Sequence, residues 1–203
     1  MLAAANLFAT QGYNATTTRN IAERVGIRQP SVFYHFKKKE DILLAIIDAS
    51  TIEVSAILDG FSPSPGNVPA ELYWLLRRDY DFLLTEPFEI GKLLSLPEMH
   101  AAPFGKRVSR IRTRLINAYR RLIKQGMQQG DFQKSDVGVT AYTIFGMGES
   151  IWSWYRHPEA WYEKPVRLPP EQVSEQIADL ALRSLLLRKS RLGPIKRAAG
   201  YSG

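Results

Sequence analysis

The 203-residue chain is expected to be all-α, with a small N-terminal three-helix unit built round a helix-turn-helix and a larger helical unit after it. Three observations predict this. Apolar residues recur at three- and four-residue spacing along most of the chain. The interruptions are rich in Pro and Gly. Alternating runs are too short for strands, and no hairpin turn lies between them.

Met1 to Thr10 reads as a helix already under way, with Leu7 and Phe8 as core residues and no capping residue before it. Either the chain starts late or a preceding segment that would add phosphate contacts is lacking. The stretch Thr16 to Asp41, "TTTRNIAERVGIRQPSVFYHFKKKED", carries two short helical patterns separated by a Gly turn. Thr16 or Thr17 suits an N-cap, because a hydroxyl there accepts from an unpaired first-turn amide. Ile21, Ala22 and Val25 are expected to form one buried stripe, and Gly26 suits the left-handed residue that ends a helix. Ile27 is expected to pin the turn to the core. Pro30 is tolerated in a first turn, so a second helix is predicted from near Arg28 to Tyr34 or His35. Val32 and Phe36 face inward; Arg28, Gln29, Ser31 and His35 face outward.

That outward face suits double-stranded DNA. A recognition helix sets its N-terminal residues against base edges in the major groove. Arg pairs with guanine and Gln with adenine through two hydrogen bonds each. Ser31, Tyr34 and amides near the threonines suit phosphate oxygens, which set register without carrying sequence. Between Arg28 and Lys39 lie four positive residues and no negative one. The same features occur in helix pairs that never meet DNA, where the charge run is a solvated face.

The order of these features resembles the DNA-binding domain of the TetR family of transcriptional regulators. "AANLFATQGYNATTTRNIAERVGIRQPSVFYHFKKKEDIL" follows that family's pattern over about the first 48 residues. The resemblance implies an all-α DNA-binding domain at 1–48 and a helical effector-binding and dimerisation domain at 49–188; residues 189–203, basic and carrying Gly193, Pro194, Gly200 and Gly203, are expected to be a disordered tail. Carried over by position, the implied DNA contacts are Thr17, Thr18, Arg28, Gln29, Pro30, Ser31, Tyr34, His35 and Lys39. Phe33 stands where the family commonly has a hydroxyl-bearing aromatic, so one phosphate contact is lost. Arg28 stands where a small capping residue is usual.

Further helices are predicted from Lys39 to about Gly60, from Ala70 to Thr85, a shorter one to Leu96, and from Phe104 to Gln129. Ser135 to about Arg156 is next, capped by Ser135 or Asp136, and the last runs from Pro169 or Pro170 to Leu187. Phe61–Pro69, "PEMHAAPFG" and "HPEAWYEKPVRLPP" are the breaks. Ile42, Ala45, Ile46, Ala49, Ile52, Ala56 and Ile57 lie near core spacing. On the last helix Val173, Ile177, Leu180, Ser184 and Leu187 share a stripe, widened by Ala181 and Leu185. The helix before it is apolar nearly all round, through Val139, Tyr142, Phe145, Ile151, Trp152 and Tyr155. Gly146 and Gly148 leave room for close approach. Such a helix must be covered on more than one side. Packing within one subunit would do this; so would a homodimer through the last two helices, which the resemblance implies and which would place two recognition helices on a palindrome.

Pockets are mostly apolar with a few polar groups. Trp74, Phe82, Tyr119, Tyr142, Phe145, Glu149 and Trp152 are candidate lining residues for a small-molecule effector, each with plain core packing as the alternative. Glu149 is the only acid between Val137 and Trp154. The helix from Phe104 carries eight basic residues and no acid; Arg107, Arg114 and Arg121 repeat every seven residues. That face either meets an anionic effector, such as a carboxylate or a coenzyme A thioester, or is simply solvated.

An enzyme is not expected. His35, His100 and His157 lack carboxylates at metal-site spacing, no nucleophile–base pair or phosphate loop stands out, and no cofactor is implied. The absence of Cys fits a reducing cytoplasm. No apolar run reaches the ~18 residues a membrane span needs. The net charge of +7 suits a polyanion, although six basic residues lie between Arg183 and Gly203. A helix-turn-helix subunit without an effector, and an activator of the same fold, remain open.

Overall fold

Ten α-helices follow one another in the computed structural model, which describes residues 1–60, 64–94, 96–100, 103–156 and 166–201. They are α1 (Leu2–Gln11), α2 (Thr18–Val25), α3 (Gln29–His35), α4 (Lys39–Asp59), α5 (Val68–Thr85), α6 (Ile90–Leu94), α7 (Phe104–Gln129), α8 (Val137–Ile151), α9 (Pro170–Leu185) and α10 (Leu192–Ala198). A 3₁₀ turn spans Pro97–His100 and a wide π turn Trp152–Arg156. Among the described residues the sole β pairing is one isolated bridge, Phe132 with Leu186. The chain is all-α.

Contacts divide the chain into two compact units, Met1–Glu53 with Glu86–Ile111, and Val54–Thr85 with Arg112–Gly203. The N-terminal unit therefore recruits α6 and the 3₁₀ turn, which a linear boundary at residue 48 leaves out.

In the first unit, Ala4, Ala5, Leu7 and Phe8 of α1 are buried with Ile21 and Ala22 of α2, Val32 of α3 and Ile42, Leu43, Ile46 and Ile47 of α4. Burying each leucine, isoleucine, valine or phenylalanine among them contributes roughly 1.5–3 kcal/mol. The Tyr13 ring bridges Phe8 and Phe104, with centroids 5.3 and 5.8 Å away. Thr16, fully buried, donates to the Gly12 carbonyl at 2.8 Å and so closes the turn before α2. Val25 and Ile27, expected inside, are 51% and 44% exposed. The turn between α2 and α3 is instead held by backbone hydrogen bonds: Gly26, at φ 76°, donates to Ala22 and Glu23, and Ile27 donates to Ala22. Ile52 of α4 is likewise exposed.

In the second unit α5 is central and packs on α8, α9 and α10. Leu72, Tyr73, Leu76 and Tyr80 are wholly buried on it. Gly148 of α8 sits where a Cβ would come within 2.7 Å of Tyr80, so this glycine lets the two helices close up. Asp136 caps α8 by accepting from the Val139 amide at 2.8 Å.

The C-terminal tail departs from the disorder its glycines suggest. Leu192, Ile195 and Ala199 are buried in the second unit. The Lys196 ammonium, itself buried, pairs with Glu175 and Asp179 of α9. Asp179 also accepts from Tyr73 at 2.8 Å, and the Tyr201 ring lies under the Arg77 guanidinium at 4.6 Å. Paired charges and a stacked aromatic offset what seven residues of helix could not hold alone.

Candidate nucleic-acid interface

The helix-turn-helix is assembled from local hydrogen bonds. Thr17 is the N-cap of α2. Its hydroxyl accepts from the Asn20 amide at 3.1 Å and donates to the Asn20 side-chain carbonyl at 2.6 Å, and that carbonyl takes the Thr17 amide at 2.9 Å. This reciprocal cap spends the hydroxyl proton of Thr17, so Thr17 faces outward as an acceptor. Arg28 is the N-cap of α3 and makes no side-chain cap, leaving its guanidinium exposed. Pro30 at the start of the helix supplies the backbone angle that such a cap would otherwise favour.

Of the seven residues of α3, Val32 alone is buried. Pro30, Ser31, Phe33, Tyr34 and His35 are exposed and Gln29 half-buried. The Tyr34 and His35 rings meet edge to face at 5.1 Å. One helix face is thus anchored by a single valine, and the rest is presented as polar and aromatic groups. Gln29 donates its side-chain amide to the Thr18 hydroxyl at 2.9 Å, joining the N-termini of α2 and α3.

Lys39 behaves differently from its expected role as a phosphate contact. Its ammonium donates to the carbonyls of Tyr13 at 2.6 Å and Thr16 at 2.9 Å and lies 4.3 Å from the centre of the Tyr13 ring. Burial lowers its pKa. Lys39 is a staple of the turn between α1 and α2. Lys37 and Lys38 remain exposed beside α3.

The candidate effector residues of the second unit divide into four groups. Tyr119 is wholly buried and Phe145 nearly so. Glu149 is a partly exposed partner of Arg112 at 2.7 Å, and the Arg112 guanidinium also lies 4.9 Å from the centre of the Phe145 ring. Trp74, Phe82 and Trp152 are half-buried, and Trp74 and Phe82 pack against the core. Tyr142 is 57% exposed, with the Arg120 guanidinium 5.1 Å from its ring; it belongs to the outer face of α8 and not to the interior. The arginine row of α7 is partly spent on α4, where Arg107 pairs with Asp48 and Arg114 with Asp59 at 3.0 Å.

Among the described residues of this unit the buried acid is Asp79, which the sequence reading passed over. It accepts from the Tyr119 hydroxyl at 2.6 Å. Burial pushes its carboxyl up to about 7, partly offset by the Tyr119 hydrogen bond. The signal was available: Leu72, Leu76 and Asp79 follow the four-then-three spacing of a buried helix stripe. Among the described residues, no group of His, Cys, Asp or Glu could hold a metal ion, and no helix is long and apolar enough to cross a membrane. His157 lies outside the described residues, as do parts of the three predicted breaks.

Comparison with known proteins agrees with this architecture. Residues 1–46 match the family model for bacterial regulatory proteins of the tetR family, and residues 95–185 match that for the tetracyclin repressor-like C-terminal domain. The tetracycline repressor protein class A of transposon 1721 from Escherichia coli is 39% identical over 51 residues, 25% of this chain and 24% of that protein. The HTH-type transcriptional repressor KstR2 of Mycolicibacterium smegmatis is 27% identical over 188 residues, 88% of this chain and 85% of that protein. The crystal structure of Mycobacterium smegmatis AmtR has 28% identity and a TM-score of 0.74, covering 98% of this chain and 91% of that one. With residues 1–46 and 95–185 both matched, the chain belongs to the TetR family and is a DNA-binding transcriptional regulator.

Proposed function

We propose that the protein represses transcription by binding a palindromic operator as a homodimer and that a small molecule held in its second unit releases it. The observation that carries DNA reading is the exposure of α3: Arg28, Pro30, Ser31, Tyr34 and His35 point to solvent beside Lys37 and Lys38 while Val32 anchors the helix. Arg28 and Gln29 would meet base edges, and Ser31 and Tyr34 phosphates. The repressor relatives support the direction of regulation.

Dimerisation through α8 and α9 is supported by apolar side chains left outside on both. Val139 and Tyr142 of α8 are 67% and 57% exposed; Leu180 of α9 and Leu187 just past it are 63% and 60% exposed. Gly146, on the same helix as Tyr142, has open space above its Cα. Monomers rarely leave such a patch uncovered, and a second copy covers it with the same residues. Two recognition helices would then read half-sites a whole number of helical turns apart.

The effector works only by favouring the protein's DNA-free conformation over its DNA-bound one. Tyr119 and Phe145, with Asp79 beside Tyr119, are the groups we assign to the interior of the effector unit, and the partly exposed Glu149 to its edge. Selecting DNA from a random pool on the purified protein tests the reading. A two-fold symmetric motif, bound more weakly as salt rises and lost in Arg28→Ala, supports it. Enrichment of no motif contradicts it.

A further inference from the structure

The hydrogen bond between Thr18 and Gln29 is not needed to start either helix. The Thr17–Asn20 cap begins α2, and Pro30 begins α3. What the bond does is hold a long, half-buried side chain in one orientation at the leading end of α3. A glutamine amide has two N–H donors and one carbonyl acceptor. Thr18 takes one donor. The carbonyl and the second N–H remain together as an acceptor–donor pair.

We propose that Thr18 is a positioning residue for base reading, and that the pair it leaves on Gln29 selects adenine. Adenine offers a matching pattern in the major groove, an exocyclic amine that donates and a ring nitrogen that accepts. Guanine offers two acceptors there and cannot satisfy the Gln29 carbonyl. A glutamine with free torsions would lose that freedom on binding and could turn its amide over to suit other bases. Thr18 holds the side chain in place before DNA arrives, with the amide nitrogen turned toward its hydroxyl. The inference rests on the DNA reading above.

The test is a titration of labelled duplexes carrying the selected motif, each base pair replaced in turn, with wild type, Thr18→Val, Thr18→Ser and Gln29→Ala. Thr18→Val keeps the shape and removes the acceptor. The expected result is that wild type prefers A·T at one pair in each half-site by about tenfold or more. Gln29→Ala loses that preference, Thr18→Val loses most of it, and Thr18→Ser keeps it. In the Gln29→Ala background, Thr18→Val changes nothing at that pair. If Thr18→Val does not fold, Thr18→Ala decides by the same series. A preference unchanged in Thr18→Val overturns the proposal. So does an equal loss of affinity for every sequence, which would make Thr18 a phosphate contact. A wild type that enriches no motif overturns the DNA reading itself, a result distinct from either.

Discussion

Asp79 of α5 and Tyr119 of α7 share a hydrogen bond of 2.6 Å between side chains that are almost entirely withdrawn from water. Burial raises the Asp79 carboxyl from its ordinary 3.8 to about 7, so between those values the folded chain holds a proton that the unfolded chain has released. Stability therefore falls as pH rises through that window and levels off above it, a cost on the order of 4 kcal/mol at most. Asp79→Asn keeps an acceptor for Tyr119 and removes the charge. It should raise the unfolding midpoint at pH 8 and flatten the decline between pH 5 and 8, as urea unfolding at several pH values would read. Tyr119→Phe removes a hydrogen bond that favours the charged form, so its decline should extend to higher pH than in wild type. An Asp79→Asn protein less stable than wild type at pH 8 would sink this account.

Lys39 should carry a structural charge, and Lys38 a DNA-binding one, within one run of three lysines. Because its ammonium is engaged by the Tyr13 and Thr16 carbonyls, Lys39→Met should cost about 1–2 kcal/mol of stability. It should leave the salt dependence of DNA binding unchanged. Lys38→Ala should do the reverse, lowering the slope of log affinity against log salt by roughly 0.9 with little effect on the melting temperature. Calorimetry and anisotropy titrations at several salt concentrations read both. A lowered slope in Lys39→Met would restore it as a phosphate contact.

The outer face of α8 and α9 predicts an oligomeric state. A charge at Tyr142 or Leu180, both more than half exposed in the single chain, costs the isolated subunit little but is expensive inside an apolar interface. Tyr142→Glu with Leu180→Glu should give a folded monomer by sedimentation, with much weaker binding to a palindrome. A dimer that persists would place the interface elsewhere.

The C-terminal helix should be a structural part of the second unit. Removing residues 189–203 takes away Lys196, the partner of Glu175 and Asp179, and uncovers Tyr73 and Arg77. The truncated chain should melt several degrees lower. Lys196→Met in the full chain should cost about 2 kcal/mol, because it takes the cation from two carboxylates and leaves Asp179 with the Tyr73 hydroxyl. Unchanged melting in both would mean that α10 contributes nothing.

How far these features are legible in the sequence depends on whether the deciding interaction is local. The Thr17 cap, the Gly26 turn, Pro30 opening α3, and the start of α7 at Phe104 depend on residues within a turn of one another, and the expected elements are found. Val25 and Ile27 fit helical spacing, yet a short α2 and α3 have too little core to bury them, so the backbone bonds of Gly26 hold the turn instead. The tail looks disordered because its anchors are remote in sequence: Lys196 finds Glu175 and Asp179, and Tyr201 finds Arg77. Lys39 lies in a charge run that suggests DNA, and only the fold brings the Tyr13 and Thr16 carbonyls to it. Tyr142 is apolar enough for a pocket, and its place on the outside of α8 depends on which face α5 claims.

The central claim is that α3 is read into DNA twice, by two copies of this chain. Hydroxyl-radical footprinting on the selected duplex tests it most directly. The account predicts two symmetry-related protected patches separated by a whole number of helical turns of about 10 base pairs, both erased in Arg28→Ala with Gln29→Ala. A single protected patch, or two that survive those substitutions, would contradict it.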